Sequence, residues 1–279
     1  MKSFWNGCHL TERSQQKIIT ENLSPTISYA KGLKKSKNGL QLRDRRRLST
    51  LEKKMIYVMS DLHGCYDKYL QILEKIGFRD GDTLYILGDV IDRGEGGIDI
   101  LLDMMQRKNV IPLIGNHESL ALSSMKHIRD GVPDWVLSPT RAYRLWMLSD
   151  GEPTAAAFRA LPKETQTTLI DYIEGFSVYE EITAGGQRFH LSHTLPDHRP
   201  GQDIHDVSFP EFIWGEPDYA QSYGDNARFI TGHTPTNVID PAFFGKIWQG
   251  NGHIVVDCAA AWGGRLGCLC LDTIEEFYV

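Results

Sequence analysis

From residue 55 the spacing of apolar positions along the chain switches repeatedly between the strand and helix periods. The run Met55-Ile56-Tyr57-Val58-Met59 has strand length and ends at Ser60. Tyr66, Tyr69, Leu70, Leu73 and Ile76 then fall at helical spacing, with Gly77 placed as a C-terminal cap. Residues 83–87 repeat the strand, and Ile98, Leu101, Leu102 and Met105 repeat the helical stripe. Residues 110–114 give a third strand before a helical stretch around Ala121, Leu122, Met125 and Ile128. Alternation of this kind with short connections predicts a parallel sheet with right-handed crossovers. Residues 130–175 read as mostly helical, and the segment 119–175 is placed to cap a site. The remainder is strand-rich, over 176–183, 188–192, 228–230, 253–256 and 266–271, with Gly185-Gly186 as a hairpin turn. There is no internal repeat, heptad pattern or low-complexity tract.

Composition adds a boundary. The 279 residues are 41% hydrophobic and 24% charged, enough for one large core or two small ones. No apolar stretch approaches the roughly 20 residues that span a bilayer. The five cysteines (Cys8, Cys65, Cys258, Cys268, Cys270) include no CxxC pair, and nothing resembles a secretory leader, so a reducing, cytoplasmic setting is expected. Residues 1–54 hold 13 Lys/Arg and 4 Asp/Glu, a net +9, whereas residues 55–279 hold 17 and 32, a net −15. The first part, with its run KGLKKSKNGLQLRDRRR, has few aromatics and no sustained period. It is read as a disordered or loosely helical basic extension. An arm for nucleic acid or anionic membrane is one reading of it. A solvated tail, or a stretch upstream of the true start, is the preferred one, since Met55 opens directly into the first strand. For the body at 55–279, the negative charge argues against nucleic acid or membrane partners and for small or singly phosphorylated substrates.

Three segments carry the chemistry: Asp61-Leu62-His63-Gly64, Gly88-Asp89-Val90-Ile91-Asp92-Arg93-Gly94 and Gly115-Asn116-His117-Glu118. Each follows a predicted strand, and in parallel sheets ligands collect beyond the carboxyl ends of strands. Phosphate esters resist hydrolysis because their oxygens repel a nucleophile and water is a poor one. Two divalent ions about 3.5–4 Å apart answer both problems by clamping the phosphoryl group and converting a bridging water to hydroxide. Such a pair needs a bridging carboxylate, and Asp89, after the middle of the three strands, is the candidate. Asp61 and His63 complete one ion's shell. Asn116 serves the other through its amide oxygen, and His193 and His233, each placed where a strand opens into a loop, are candidate ligands of that second ion. Oxygen and nitrogen donors without thiolate suit Mn²⁺, Fe²⁺ or Zn²⁺ better than a structural zinc site and do not choose among the three; two Mn²⁺ ions are the expectation, with Fe or Zn as alternatives.

These segments resemble the motifs GDxHG, GDxVDRG and GNHE of the metallophosphoesterase superfamily and, more narrowly, its phosphoprotein phosphatase branch. Ser60 stands for the first Gly and Ile91 for Val; Ser192-His193 and Gly232-His233-Thr234-Pro235 are similar to the two distal histidine motifs. The resemblance covers residues 55–279. It implies an α/β fold, a sandwich of two mixed β-sheets flanked by helices. It also implies that Asp61, His63 and Asp89 bind one metal ion and that Asp89, Asn116, His193 and His233 bind the second. His117 would be the general acid, oriented by Asp92, and Arg93 would grip phosphate oxygens. Chemistry agrees, since an adjacent carboxylate raises an imidazole's pKa and fixes its tautomer, and a guanidinium forks onto two oxygens.

One departure stands out. Relatives carry a second phosphate-binding arginine in a WxRP segment, where this chain reads Trp214-Gly215-Glu216-Pro217; Arg228 or Arg265 is the candidate substitute. Asp257, after the strand at 253–256, either faces the site or serves a turn. His9, His127, His190, His198, His205 and His253 are assigned no role, and the aromatic group near Trp146 is read as core. The expected activity is metal-dependent hydrolysis of phosphate monoesters, in the manner of serine/threonine protein phosphatases. Dinucleoside tetraphosphate hydrolysis is the alternative, and a non-catalytic phospho-ligand binder is disfavoured because it would need neither His117 nor Asp92.

Overall fold

Alternation of side chains along the strands decides which layer each one enters. The computed structural model describes residues 54–196, 206–222 and 226–279. The expected basic extension lies outside the described residues, apart from Lys54. In chain order the first half forms β1 (Ile56–Met59), α1 (Tyr66–Ile76), β2 (Thr83–Ile86), α2 (Gly97–Gln106), β3 (Val110–Pro112) and α3 (Asn116–Arg129). A helical stretch follows: α4 (Asp134–Leu137), α5 (Arg141–Leu148), α6 (Glu152–Ala160) and α7 (Lys163–Glu174). The last part contains β4 (Tyr179–Ala184), β5 (Gln187–Ser192), α8 (Phe209–Trp214), β6 (Ala227–Thr231), α9 (Thr236–Ile239), β7 (Trp248–Gly250), β8 (His253–Val255), β9 (Gly267–Cys270) and β10 (Glu275–Tyr278).

These strands make two five-stranded mixed sheets, ordered β10-β9-β1-β2-β3 and β4-β5-β6-β8-β7. In the first, β1, β2 and β3 are parallel, and β9 and β10 join antiparallel at the β1 edge. In the second, β5, β6 and β8 are parallel, with β4 and β7 antiparallel at the edges. Period-two alternation sends Tyr57, Met59, Leu84, Ile86, Cys268 and Cys270 into a core shared with Tyr69, Ile72, Leu101, Ala121, Met125 and Ile170 of the helices. The intervening Val58, Tyr85, Leu87 and Leu269 pack against Phe189, Leu191, Ile230 and Ile254 of the second sheet. The result is a sheet-on-sheet sandwich with helices on the outer face of the first sheet.

Helix ends follow local chemistry. Gly77 takes the left-handed conformation (φ 60°) that closes α1, its N–H donating to the carbonyls of Leu73 and Glu74. The strand expected over 176–183 begins at Tyr179, because the Phe176 N–H closes the end of α7 on the Ile173 carbonyl and Ser177 pairs with the end of β3 in an isolated bridge to Leu113. Two strands absent from the sequence reading, β7 and β10, are edge strands. One is three residues long and ends in Gly250, and the other carries Glu275 and Glu276. Short, charged edges lack the apolar run that marks a central strand. Among the described residues no helix is long and apolar enough to cross a membrane.

Candidate metal centre and active site

The carboxyl ends of β1, β2 and β3 from one sheet, and of β5 and β6 from the other, open onto a common site. Asp61 and His63 follow β1, Asp89 follows β2, Asn116 and His117 open α3 after β3, and His193 and His233 follow β5 and β6. Tight approach bends the backbone: Asp61, His63, Asp89, Asp92, Arg93 and His233 all have positive φ, between 41° and 70°. Asp and His tolerate that region better than most residues, and such strain gathers at functional sites.

Histidine tautomers are fixed from outside the cluster. Nδ1 of His63 lies 3.0 Å from the Ile91 carbonyl and Nδ1 of His193 lies 2.7 Å from the Leu87 carbonyl. A carbonyl only accepts, so each Nδ1 carries the proton and each Nε2 turns a bare lone pair into the cluster. His63 Nε2 is buried there without a hydrogen-bond donor. It stands 3.8 Å from Asp61 Oδ1 and 3.5 Å from Asp89 Oδ2. His193 Nε2 stands 3.5 Å from Asp89 Oδ1 and 2.9 Å from Asn116 Oδ1, and the latter is 3.0 Å from His233 Nδ1.

Lone pairs of carboxylates, an amide oxygen and imidazoles thus converge with few donors to meet them. That set fits divalent cations, with backbone carbonyls orienting the imidazoles in the usual manner of metal ligands. Asp89 belongs to both groups able to hold an ion, His63–Asp89–His117 and Asp89–His193–His233, and offers a different oxygen to each. Burial, with Asp61 and Glu118 nearby, raises the pKa of Asp89, although His117 opposes the shift. Burial, then His193, His117 and Arg93, lowers that of His233 to about 3. Burial thus disfavours the charged form of each group in the cation-free protein, and it leaves the His233 imidazole neutral, the form in which it can act as a metal ligand.

Glu118, which the sequence reading passed over, braces the Asp89 loop. Fully buried, it accepts from the N–H groups of Val90 (2.8 Å), Asp89 (2.9 Å), Gly115 (3.0 Å) and Ile91 (3.3 Å). Its place three residues after Gly115, at the start of α3, is a capping-box spacing that could have pointed to it. Gly115 itself has to be glycine, since a Cβ there would lie 2.2 Å from Asp89 Oδ1.

His117 stands beside the cluster, its Nε2 3.8 Å from Asp89 Oδ2, while its Nδ1 lies 2.7 Å from Asp92 Oδ2. Burial alone would lower its pKa, but the bond to Asp92 and the charges of Asp89 and Asp92 outweigh burial and raise it. Arg93 places Nη2 3.4 Å from His117 Nε2, and its guanidinium lies 4.9 Å from the ring centre of Trp262, which is 60% exposed. Arg93, Asp150, Glu152 and Trp262 line a groove of about 410 Å³ beside the cluster.

Two expected residues are not brought here. Arg228 lies three residues before the end of β6 and donates to Gln249 Oε1 at 2.7 Å on β7, so its reach is spent along the sheet. Arg265 donates from Nε to the Gly245 carbonyl at 2.7 Å and stacks on Tyr278 at 4.0 Å. Neither substitutes for the absent WxRP arginine. In that segment the rings of Trp214 and His233 stand nearly perpendicular, 6.3 Å between centres, and Glu216 is exposed. Asp257 meets both expectations: its Oδ1 accepts from the Ala259 N–H at 2.9 Å, and it is buried close enough to Asp61 and Asp89 for burial and their charges to raise its pKa. His127 bonds within α3, His190 stacks on Phe229, and His253 meets the Gln221 carbonyl. His9, His198 and His205 lie outside the described residues.

Residues 54–256 match the family model of calcineurin-like phosphoesterases. The chain belongs to that family. This phosphoesterase is an enzyme of the binuclear metallophosphoesterase type, and its two mixed sheets are the family's fold. Over 85 residues it is 35% identical to symmetrical bis(5'-nucleosyl)-tetraphosphatases of Salmonella paratyphi B and Salmonella typhimurium, a stretch covering 30% of this chain and 30% of theirs. By fold it is similar to a candidate diadenosine tetraphosphatase, at 14% identity and a TM-score of 0.59, with 82% of this chain and 94% of that one covered. It is also similar to a Saccharomyces cerevisiae protein serine/threonine phosphatase, at 14% identity and a TM-score of 0.52, covering 80% and 74%.

Proposed function

We propose that the enzyme hydrolyses phosphate monoesters of alcohols, in the manner of serine/threonine phosphoprotein phosphatases, with His117 as general acid. The supporting observation is the buried pair of His117 Nδ1 and Asp92 Oδ2 at 2.7 Å, which leaves Nε2 facing Arg93 Nη2 at 3.4 Å and Asp89 Oδ2 at 3.8 Å. A serine or threonine alkoxide is a strong base and leaves slowly without a proton. A nucleoside diphosphate, released by symmetrical cleavage of a dinucleoside tetraphosphate, leaves as a stabilised anion and gains much less from an acid. An elaborate proton donor is therefore better matched to an alcohol leaving group.

Asp61, His63, Asp89, Asn116, His193 and His233 would hold two divalent cations, Mn²⁺ in this proposal, and their mixed oxygen and nitrogen donors suit Fe or Zn as well. When bound, the pair supplies positive charge to the phosphoryl oxygens and lowers the pKa of water. Arg93, beside His117, grips non-bridging oxygens, and among the described residues neither Arg228 nor Arg265 joins it there. As the ester P–O bond breaks, His117 Nε2 passes its proton to the leaving oxygen, and Asp92 stabilises the imidazolium beforehand and holds its tautomer. Water supplies the oxygen that replaces the alcohol on phosphorus. A cytoplasmic location accords with Cys65, Cys258, Cys268 and Cys270, all unpaired.

Dinucleoside tetraphosphate hydrolysis is the second reading, favoured by the 35% identity with the Salmonella enzymes over 85 residues. Turnover of a phosphoserine peptide measured beside diadenosine tetraphosphate in Mn²⁺ decides between them. A kcat/KM at least tenfold higher on the peptide is expected, and the reverse preference would replace the first reading by the second.

A further inference from the structure

Asp92 is fully buried, and its carboxylate is held from two sides. One side is His117 Nδ1. The other is Trp146 of α5, whose indole Nε1 donates at 3.0 Å to Oδ1 and at 3.0 Å to Oδ2. Among the described residues, the indole is the donor to Oδ1. Two backbone links run alongside: the Asp92 N–H donates to Thr154 Oγ1 at 2.8 Å, and the Arg93 N–H donates to the Asp150 carbonyl at 2.9 Å. All three partners lie in α5, α6 and their connection, so the helical segment is tied to the loop that carries the acid's partner.

We propose that Trp146 is a positioning residue for the general acid, acting through Asp92; the inference rests on the role given to His117 above. A carboxylate with one bond to His117 could rotate about its Cα–Cβ and Cβ–Cγ bonds and leave Nδ1 unsupported. An indole N–H shared by both oxygens fixes the carboxylate plane, and with it the direction in which Nε2 points. Buried tryptophan is ordinarily explained by packing alone, and Trp146 does pack fully, in edge contact with Tyr143. Packing does not require the N–H to meet a carboxylate bisected so evenly. Gly151 gives a second sign of the constraint. Its φ of −78° suits any residue, yet a Cβ there would lie 2.5 Å from both Trp146 Nε1 and Cδ1, so the absent side chain leaves room for the indole edge that faces Asp92.

The test compares two phosphomonoesters, an alkyl phosphate, whose leaving oxygen needs a proton, and an aryl phosphate with an acidic phenol, which hardly does. Trp146→Phe removes the donor, and the sulfur isostere of tryptophan, benzothienylalanine at 146, removes only the N–H while keeping the shape. Both are expected to lower kcat on the alkyl ester about 10- to 100-fold more than on the aryl ester, part of the roughly 10²- to 10⁴-fold that a general acid contributes. KM should change little. Gly151→Ala should reproduce the selective loss by displacing the indole. Equal losses on both esters with the isostere would mean that Trp146 only packs, and no loss on the alkyl ester would likewise overturn the inference. His117→Asn in the same assay separates the two layers. If it shows no alkyl-selective loss, the general-acid reading falls; if it does and the isostere does not, only the role of Trp146 falls.

Discussion

Replacing Glu118 by Gln is a change of one oxygen for one NH₂ group in a fully buried side chain that is assigned no contact with substrate, and it should be costly. Glu118 Oε1 accepts from Val90 and Ile91, and Oε2 accepts from Asp89 and Gly115. An amide retains a single acceptor oxygen, and whichever way it turns, its NH₂ group confronts two backbone N–H groups. Two hydrogen bonds to a charged acceptor are lost, at about 1.5–3 kcal/mol each, so the destabilisation should be about 3–6 kcal/mol. In a body of this size, 1 kcal/mol moves Tm by roughly 2–4 °C, which puts the expected drop on the order of 10 °C. Thermal unfolding followed by circular dichroism in chelator isolates the effect, because bound cation would add its own stabilisation by mass action. The loop so loosened carries Asp89, and Mn²⁺ affinity should fall in parallel. A Tm within about 3 °C of the parent would refute the argument that Glu118 braces this loop.

Other consequences follow from individual contacts. His117→Asn should keep bound cations yet lower kcat on an alkyl phosphate by roughly 10²- to 10⁴-fold, as read by steady-state kinetics alongside elemental analysis. Trp262→Ala removes the ring under which the Arg93 guanidinium rests at 4.9 Å and should raise KM for a phosphomonoester about 3- to 10-fold with a smaller change in kcat. Burial first, then neighbouring cations, lowers His233 from the ordinary 6.5 to about 3. In chelated protein the unfolded chain therefore binds a proton that the folded chain refuses as pH falls from 6.5 toward 3. Stability present above pH 6.5 is lost progressively through that window. Between about pH 6.5 and pH 4.5 the parent should lose about 2 kcal/mol more than His233→Gln in urea unfolding, and parallel losses would contradict the shift.

Much of this candidate site was legible because each candidate ligand stands shortly after a strand that alternation or apolar run marks clearly. Asp61, Asp89, Asn116, His193 and His233 all occupy that position, and the sheet brings them together without further instruction. Residues whose importance depends on distant partners were not legible. Trp146 looks like core from its helical stripe, and it is core; only the fold places its N–H against a carboxylate 54 residues away. Arg228 and Arg265 look available in sequence, yet Gln249 and Gly245 engage them in the structure. Edge strands β7 and β10 escaped notice because a strand with one neighbour needs no apolar face on both sides. Mixed pairing in the first sheet escaped the local pattern for a related reason: direction is set by where β9 returns, about 200 residues after β1, and local spacing carries no such information.

Sharing of Asp89 between two cations underlies everything proposed about the chemistry. Equilibrium dialysis against Mn²⁺ followed by elemental analysis of the protein measures it directly, in the parent and in Asp89→Asn. Two ions per chain at saturation in the parent, and loss of both or all but weak binding in the variant, is the predicted result. A parent chain holding less than one ion, or a variant that still holds two with unchanged affinity, would contradict it.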